Sequence, residues 1–164
     1  MHNGTLARIL RVQDAGAYLA EGCSNPVTAW KLQQLVYFAQ GFAFALTDRP
    51  IVNTTFQAWS RGPASADLYL SLDEQTIVDT VDGGIPSRID GNNKVILDSI
   101  ITTFDSFSED KITHMVTKPG TPWDQVRSHH GLTLGADSNV EIPEDIISDY
   151  FHAILSLTDT PPTP

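Results

Sequence analysis

The side chains best suited to chemistry are the adjacent pair His129-His130 with Asp124 nearby, the single cysteine Cys23, and the acidic group Glu141, Glu144, Asp145 and Asp149. The histidine pair invites a metal or nuclease reading, and with it a small metal-dependent or nucleotide-acting enzyme. Neighbouring residues on a helix point about 100° apart, however, so two adjacent histidines do not converge on one ion. With one cysteine and no H-x-x-x-H spacing, the chain lacks the ligand pattern that zinc takes. Cys23 has nothing around it beyond a turn, and nothing there to generate a thiolate, so it reads as an inert thiol. The four acids fall at the start of a helix, where negative charge is favoured in any case. Neither common glycine-rich phosphate loop is present, nor is a G-x-S-x-G elbow. The expectation is no catalytic residue, no metal and no cofactor: not an enzyme, but a protein that works by binding.

Composition points the same way. The 164 residues (17.9 kDa) suffice for one domain with a real core, and 41% hydrophobic with 18% charged residues argues against global disorder. The net charge is −10, and residues 101–164 carry ten Asp or Glu against three Lys or Arg. Such a surface repels phosphate backbones, which excludes direct nucleic-acid binding as the main role, and suits a basic partner. A lone cysteine, no apolar run of about 18–20 residues and no signal peptide lead to the expectation of a cytoplasmic chain without membrane contact.

The elements that would position any site are organised around residues 28–46, TAWKLQQLVYFAQGFAFAL. Leu32, Leu35, Val36, Ala39, Ala43 and Leu46 follow helical spacing, and Thr28 is a good N-cap. Tyr37, Phe38, Phe42 and Phe44 make most of the remaining circumference apolar, as in a helix buried between neighbours. A first helix is expected over 12–21, stopped by Gly22. Alternation over 51–59 predicts a strand, and Arg61-Gly62-Pro63 a chain break. Ser65 caps a short helix, and short edge strands are expected near 77–81 and 87–89. Further helices are expected over 95–107, from Ser108 to the Pro119-Gly120 stop, from Thr121-Pro122 to about His130, and from Pro143 onward. The fold class is therefore mainly α: one helical domain around a central buried helix, with at most a small hairpin or two-stranded sheet. Residues 1–11 read as a lead-in, 12–157 as the domain and 158–164 as a disordered tail.

One stretch carries a resemblance. Residues 31–63, KLQQLVYFAQGFAFALTDRPIVNTTFQAWSRGP, resemble the Panacea domain, with its KLQKLLYYAQG-like helix, a turn containing Pro, and an A-W-x-x-G-P element. Pro122-Trp123 and the segment from Ile142 to Phe151 match later parts of the same pattern, so the resemblance spans nearly the whole chain. Three departures stand out. Val116-Thr117 replaces a Thr-His, Arg61 stands where an aromatic often precedes Gly-Pro, and Ala64-Ser65-Ala66 replaces a valine-rich segment. The first argues against chemistry at that place; the others fall where a partner surface is open to retuning.

The resemblance implies an antitoxin that neutralises a cognate protein toxin by direct binding. Family members are encoded beside unrelated toxins, alarmone-synthetase-like enzymes among them, and delivery of the toxin to a protease is a variant of the theme. A phage-encoded interaction protein without a toxin is the remaining alternative to the enzyme reading. Among the motif residues, Leu32, Leu35, Val36 and Ala39 belong in the core. Lys31, Gln34, Tyr37 and Arg61 are candidate partner-binding residues, because long polar or amphipathic side chains have less reason to be buried. Trp59 joins them, although it and Trp123 equally suit core anchors. Gly62 and Pro63 complete the candidate surface as the turn beside them.

Overall fold

Thr28 opens the central helix as its side chain predicts, its hydroxyl accepting the Lys31 N–H at 3.0 Å. The computed structural model describes residues 7–159, with side chains as far as residue 157. Seven helices lie among them: α1 (Val12–Gly22), α2 (Ala29–Thr47), α3 (Ala66–Ser71), α4 (Gly91–Phe104), α5 (Glu109–Thr117), α6 (Pro122–His129) and α7 (Glu144–Asp159). An antiparallel hairpin, β1 (Phe56–Trp59) and β2 (Gly62–Ser65), is the one sheet among the described residues, and a single 3-10 turn spans Pro86–Arg88. The fold is mainly α with a two-stranded sheet, as expected.

Every residue of α2 from Leu32 to Gly41 is buried, because α1, α4, α5, α7 and the hairpin pack around it. Its aromatic side meets Phe104 and Phe151: Phe38 stacks on Phe104 at 4.5 Å and Phe42 meets Phe151 edge-on at 5.3 Å. Gly41 allows this approach, since a Cβ there would lie 2.3 Å from the Phe151 ring. The predicted stripe runs one turn too far, for Leu46, in the last turn of α2, is exposed. Ser65, Ser108 and Thr121 each cap their helix by accepting the N–H three residues on, as their positions predict. Leu10, assigned to the lead-in, is buried and exchanges backbone hydrogen bonds with Ile51 and Asn53. Residues 158 and 159 of the predicted tail continue α7, and 160–164 lie outside the described residues.

The extended segments pair less than expected, in part because glutamine side chains bond their backbone. Burial alternates from Val52 to Ala58 as predicted, yet ladder pairing begins only at Phe56. The N–H groups of Ile51 and Val52 instead donate to Gln40 Oε1 at 2.9 and 3.1 Å. Near 77–81 the pairing is a single antiparallel bridge, Ile77 with Thr28, with Ala29 N–H donating to Thr76 O and Val78 N–H to Val27 O, both at 2.9 Å. Beyond it, Gln75 Oε1 accepts from Asp79 and Thr80. The segment 87–89 belongs to the 3-10 turn and its cap.

Candidate partner-binding groove

The hairpin tip is held from every side. Trp59 pairs with Gly62, leaving Ser60 and Arg61 as the loop. Gly62 and Pro63 therefore start β2 rather than form the break expected of them. The outer edge of β1 bonds to the chain ahead of α7, through Ala58 N–H to Val140 O and Ile142 N–H to Phe56 O, both 2.8 Å. The outer edge of β2 has no strand beside it; α2 fills it with side chains. Gln33 donates to Ser65 O at 2.9 Å and accepts Ser65 N–H at 2.8 Å, while Gln34 donates to Pro63 O at 3.1 Å. From α6, Trp123 Nε1 donates to Trp59 O, and Arg127 donates to Ala58 O at 2.9 Å. Arg127 is buried, its charge solvated by that carbonyl, by those of Thr133 and Ala136, and by the Trp123 ring 5.0 Å away. An open strand edge invites unwanted pairing, and here both edges are closed.

In front of the fixed tip lies a groove of about 460 Å³ walled by Trp30, Trp59, Tyr69 and Leu72, with Arg61 and Glu109 at its rim. Trp30 enters it from the first turn of α2, and Tyr69 from the outer side of α3. Trp59 and Tyr69 meet edge to face at 5.4 Å, and Tyr69 is 50% exposed. Both groove indoles are fixed by their N–H groups, Trp30 on Thr113 Oγ1 at 3.0 Å and Trp59 on Gln57 Oε1 at 2.7 Å. The Arg61 guanidinium lies 4.8 Å from the Trp30 ring centre and 3.3 Å from Glu109, whose other oxygen accepts the Thr28 hydroxyl. Gly62 has φ +149°, which only glycine adopts readily, and a Cβ there would come within 3.0 Å of Trp30.

The predicted surface residues divide. Trp59 and Arg61 line the groove, and Gly62 and Pro63 lie buried beneath its hairpin. Lys31 is half-buried, donating to Asp105 O at 2.7 Å, and ties α2 to the α4–α5 junction instead. Gln34 and Tyr37 are corrections to the expected exposure, at 0% and 1%. Gln34 is turned inward because β2 needs a donor, and Tyr37 because rings of Phe38, Phe56 and Phe151 surround it. The Tyr37 hydroxyl has no hydrogen-bond partner among the described residues, and burial pushes its phenol far above the ordinary value. Trp30, Tyr69 and Glu109 were missed. For Trp30 the available signal was an aromatic in the first turn of a capped helix, off its apolar stripe; Tyr69 and Glu109 carry none. Two of the family departures meet here as well: Arg61 stacks on Trp30, while Val116 and Thr117 both come within 3.5 Å of where a Gly62 Cβ would stand.

The residues considered for chemistry are dispersed. His129 and His130 are exposed with rings edge-on at 5.4 Å, and Asp124 accepts the Gly120 N–H at 2.9 Å, as part of the α6 start. Burial, and then the nearby Asp105 carboxylate, push the Cys23 thiol up, away from thiolate. Glu141, Glu144, Asp145 and Asp149 are all exposed, and Asp145 accepts the adjacent Ile146 N–H at 2.9 Å in the first turn of α7. Among the described residues no three His, Cys, Asp or Glu are grouped so as to hold a metal, and no helix is long and apolar enough to cross a membrane.

Fold and groove together define a helical scaffold that presents a rigid hairpin and an aromatic surface. The sequence model described as antitoxin SocA-like, Panacea domain matches residues 32–124, more than half of the chain, and the chain belongs to that family. It is 24% identical over 149 residues to "Antitoxin SocA" of Caulobacter vibrioides (strain NA1000 / CB15N), a match covering 84% of this chain and 78% of that protein. No solved structure matches the chain.

Proposed function

We propose that this protein is the neutralising member of a toxin–antitoxin pair, and that it binds its toxin directly through the Trp30–Trp59–Tyr69 groove without altering it chemically. The observation that carries this reading is the groove itself. It is concave, aromatic and partly exposed, and it stands on a hairpin whose backbone is already fixed, so association orders little. Tryptophan, tyrosine and arginine are the residues in which interface energy concentrates. Gly62 and Pro63 hold the wall from beneath, and Lys31 keeps the first turn of α2 in place. A net charge of −10 speeds encounter with a basic surface such as a toxin uses for nucleotide or RNA, an alarmone-synthetase-like toxin included.

The test is co-expression with the toxin, using Tyr69→Ala and Trp30→Ala variants whose folding is checked by circular dichroism. Removing a true hot spot costs at least ~2 kcal/mol, about thirtyfold in affinity, and toxicity should return. If both folded variants still neutralise, the groove is not the interface; if no complex with the toxin survives size exclusion, stable sequestration is wrong. The toxin level in cells separates two modes of action. A level unchanged by the antitoxin fits occlusion, and a protease-dependent fall would replace it with adaptor-mediated degradation.

A further inference from the structure

The geometry points to the Trp30–Glu109 corner of the groove as a receptor for a cationic side chain of the toxin, an arginine or a lysine, whose place Arg61 occupies while the partner is absent. The inference rests on the groove being the toxin surface. The corner already holds a cation by two separate contacts: the Trp30 ring face, 4.8 Å from the Arg61 guanidinium carbon, and the Glu109 carboxylate at 3.3 Å. The first lies well inside the range of cation–π attraction.

What builds the corner does not include Arg61. Trp30 is oriented by its Nε1 bond to Thr113, and Glu109 by the Thr28 hydroxyl. Thr28 is itself fixed as the cap of α2, and Ala29 N–H donates to Thr76 O at 2.9 Å. Arg61, by contrast, sits on the two-residue hairpin loop with 62% of its side chain exposed. An ion pair so exposed contributes little, so releasing Arg61 costs little, and the two groups it leaves are already in position for another cation. The Trp59, Tyr69 and Leu72 walls beside the corner suit an aliphatic neighbour of that cation. The overall charge of −10 draws such a segment in.

The probe is the peptide Ac-Ala-Leu-Ala-Arg-Ala-Leu-Ala-NH2 and its citrulline analogue, titrated into the full 15N-labelled chain while the indole N–H resonances are followed. The arginine peptide should shift Trp30 and Trp59 saturably, and the neutral analogue should not. Arg61→Ala should bind the arginine peptide about two- to fivefold more tightly, and Glu109→Gln about fivefold or more weakly. Equal binding of the citrulline peptide, no saturable shift at millimolar peptide, or weaker binding by Arg61→Ala would each overturn the assignment. So would indole shifts that grow with protein concentration alone, since the occupant would then be a second copy of the chain. If the peptide results fail while Tyr69→Ala still releases the toxin, the groove stands as the interface and only the cation receptor falls.

Discussion

The two sides of the hairpin are satisfied in opposite ways. On its supported edges, Gln33, Gln34, Trp123 and Arg127 donate to the carbonyls of Ser65, Pro63, Trp59 and Ala58, and all four side chains are buried. In front of it, Trp59 meets Tyr69, Arg61 meets Trp30 and Glu109, and Tyr69 and Arg61 remain open to solvent. The buried group spends its N–H donors on hairpin carbonyls, and the exposed group leaves ring faces and one guanidinium open. Where a fold holds a short hairpin without a third strand, side-chain donors such as the Gln33 and Gln34 amides, the Arg127 guanidinium and the Trp123 indole take the carbonyls, so polarity there marks burial.

The largest effect should come from breaking the rear side. Arg127→Met should destabilise the fold by about 2–3 kcal/mol in urea denaturation, because the buried Ala58 carbonyl and two partly buried ones lose their donor. Loss below 1 kcal/mol would mean that Arg127 is not the clamp described. A smaller effect of opposite sign is expected in the aromatic core around α2. Tyr37→Phe removes a buried hydroxyl without a hydrogen-bond partner among the described residues and should stabilise by about 1 kcal/mol, with toxin affinity unchanged. A loss of affinity without a loss of stability would return Tyr37 to the surface.

The smallest effect lies far from the hairpin. His152 titrates above its ordinary range because its Nδ1 bonds the Ser148 carbonyl and its Nε2 meets the Asp48 carboxylate at 2.9 Å. A raised folded pKa means that its contribution is complete below the unfolded value of about 6.5, then fades as pH rises through the folded one. The melting temperature difference between wild type and His152→Gln should therefore shrink from pH 6 to pH 8.5, with the groove unaffected at both. A difference that grows with pH would contradict the assigned pairing.

Much of the scaffold was legible before any coordinates. Thr28, Ser65, Ser108 and Thr121 announce their helices because capping is local chemistry, settled within three residues. The central helix is legible for a similar reason, since an apolar circumference has nowhere to go but inside. What local pattern could not disclose is where a long polar side chain ends. Gln34 and Gln40 look like surface residues until the backbone they hold is in view, and Leu46 fits the apolar stripe although it lies exposed in the last turn of α2. The groove was half legible. Trp59 and Arg61 stand in a motif, but Trp30, Tyr69 and Glu109 reach the same place from three different helices, a convergence that only tertiary packing creates.

Three tryptophans divide the two sides of the hairpin and allow a direct measurement. In a chain labelled with 5-fluorotryptophan, forming the stoichiometric complex with the toxin should shift the Trp30 and Trp59 fluorine resonances and shield them from a soluble quencher. Trp123, 5% exposed behind the hairpin, should stay where it is. A complex that forms while Trp30 and Trp59 remain unshifted and accessible would contradict the groove as the surface through which this antitoxin works.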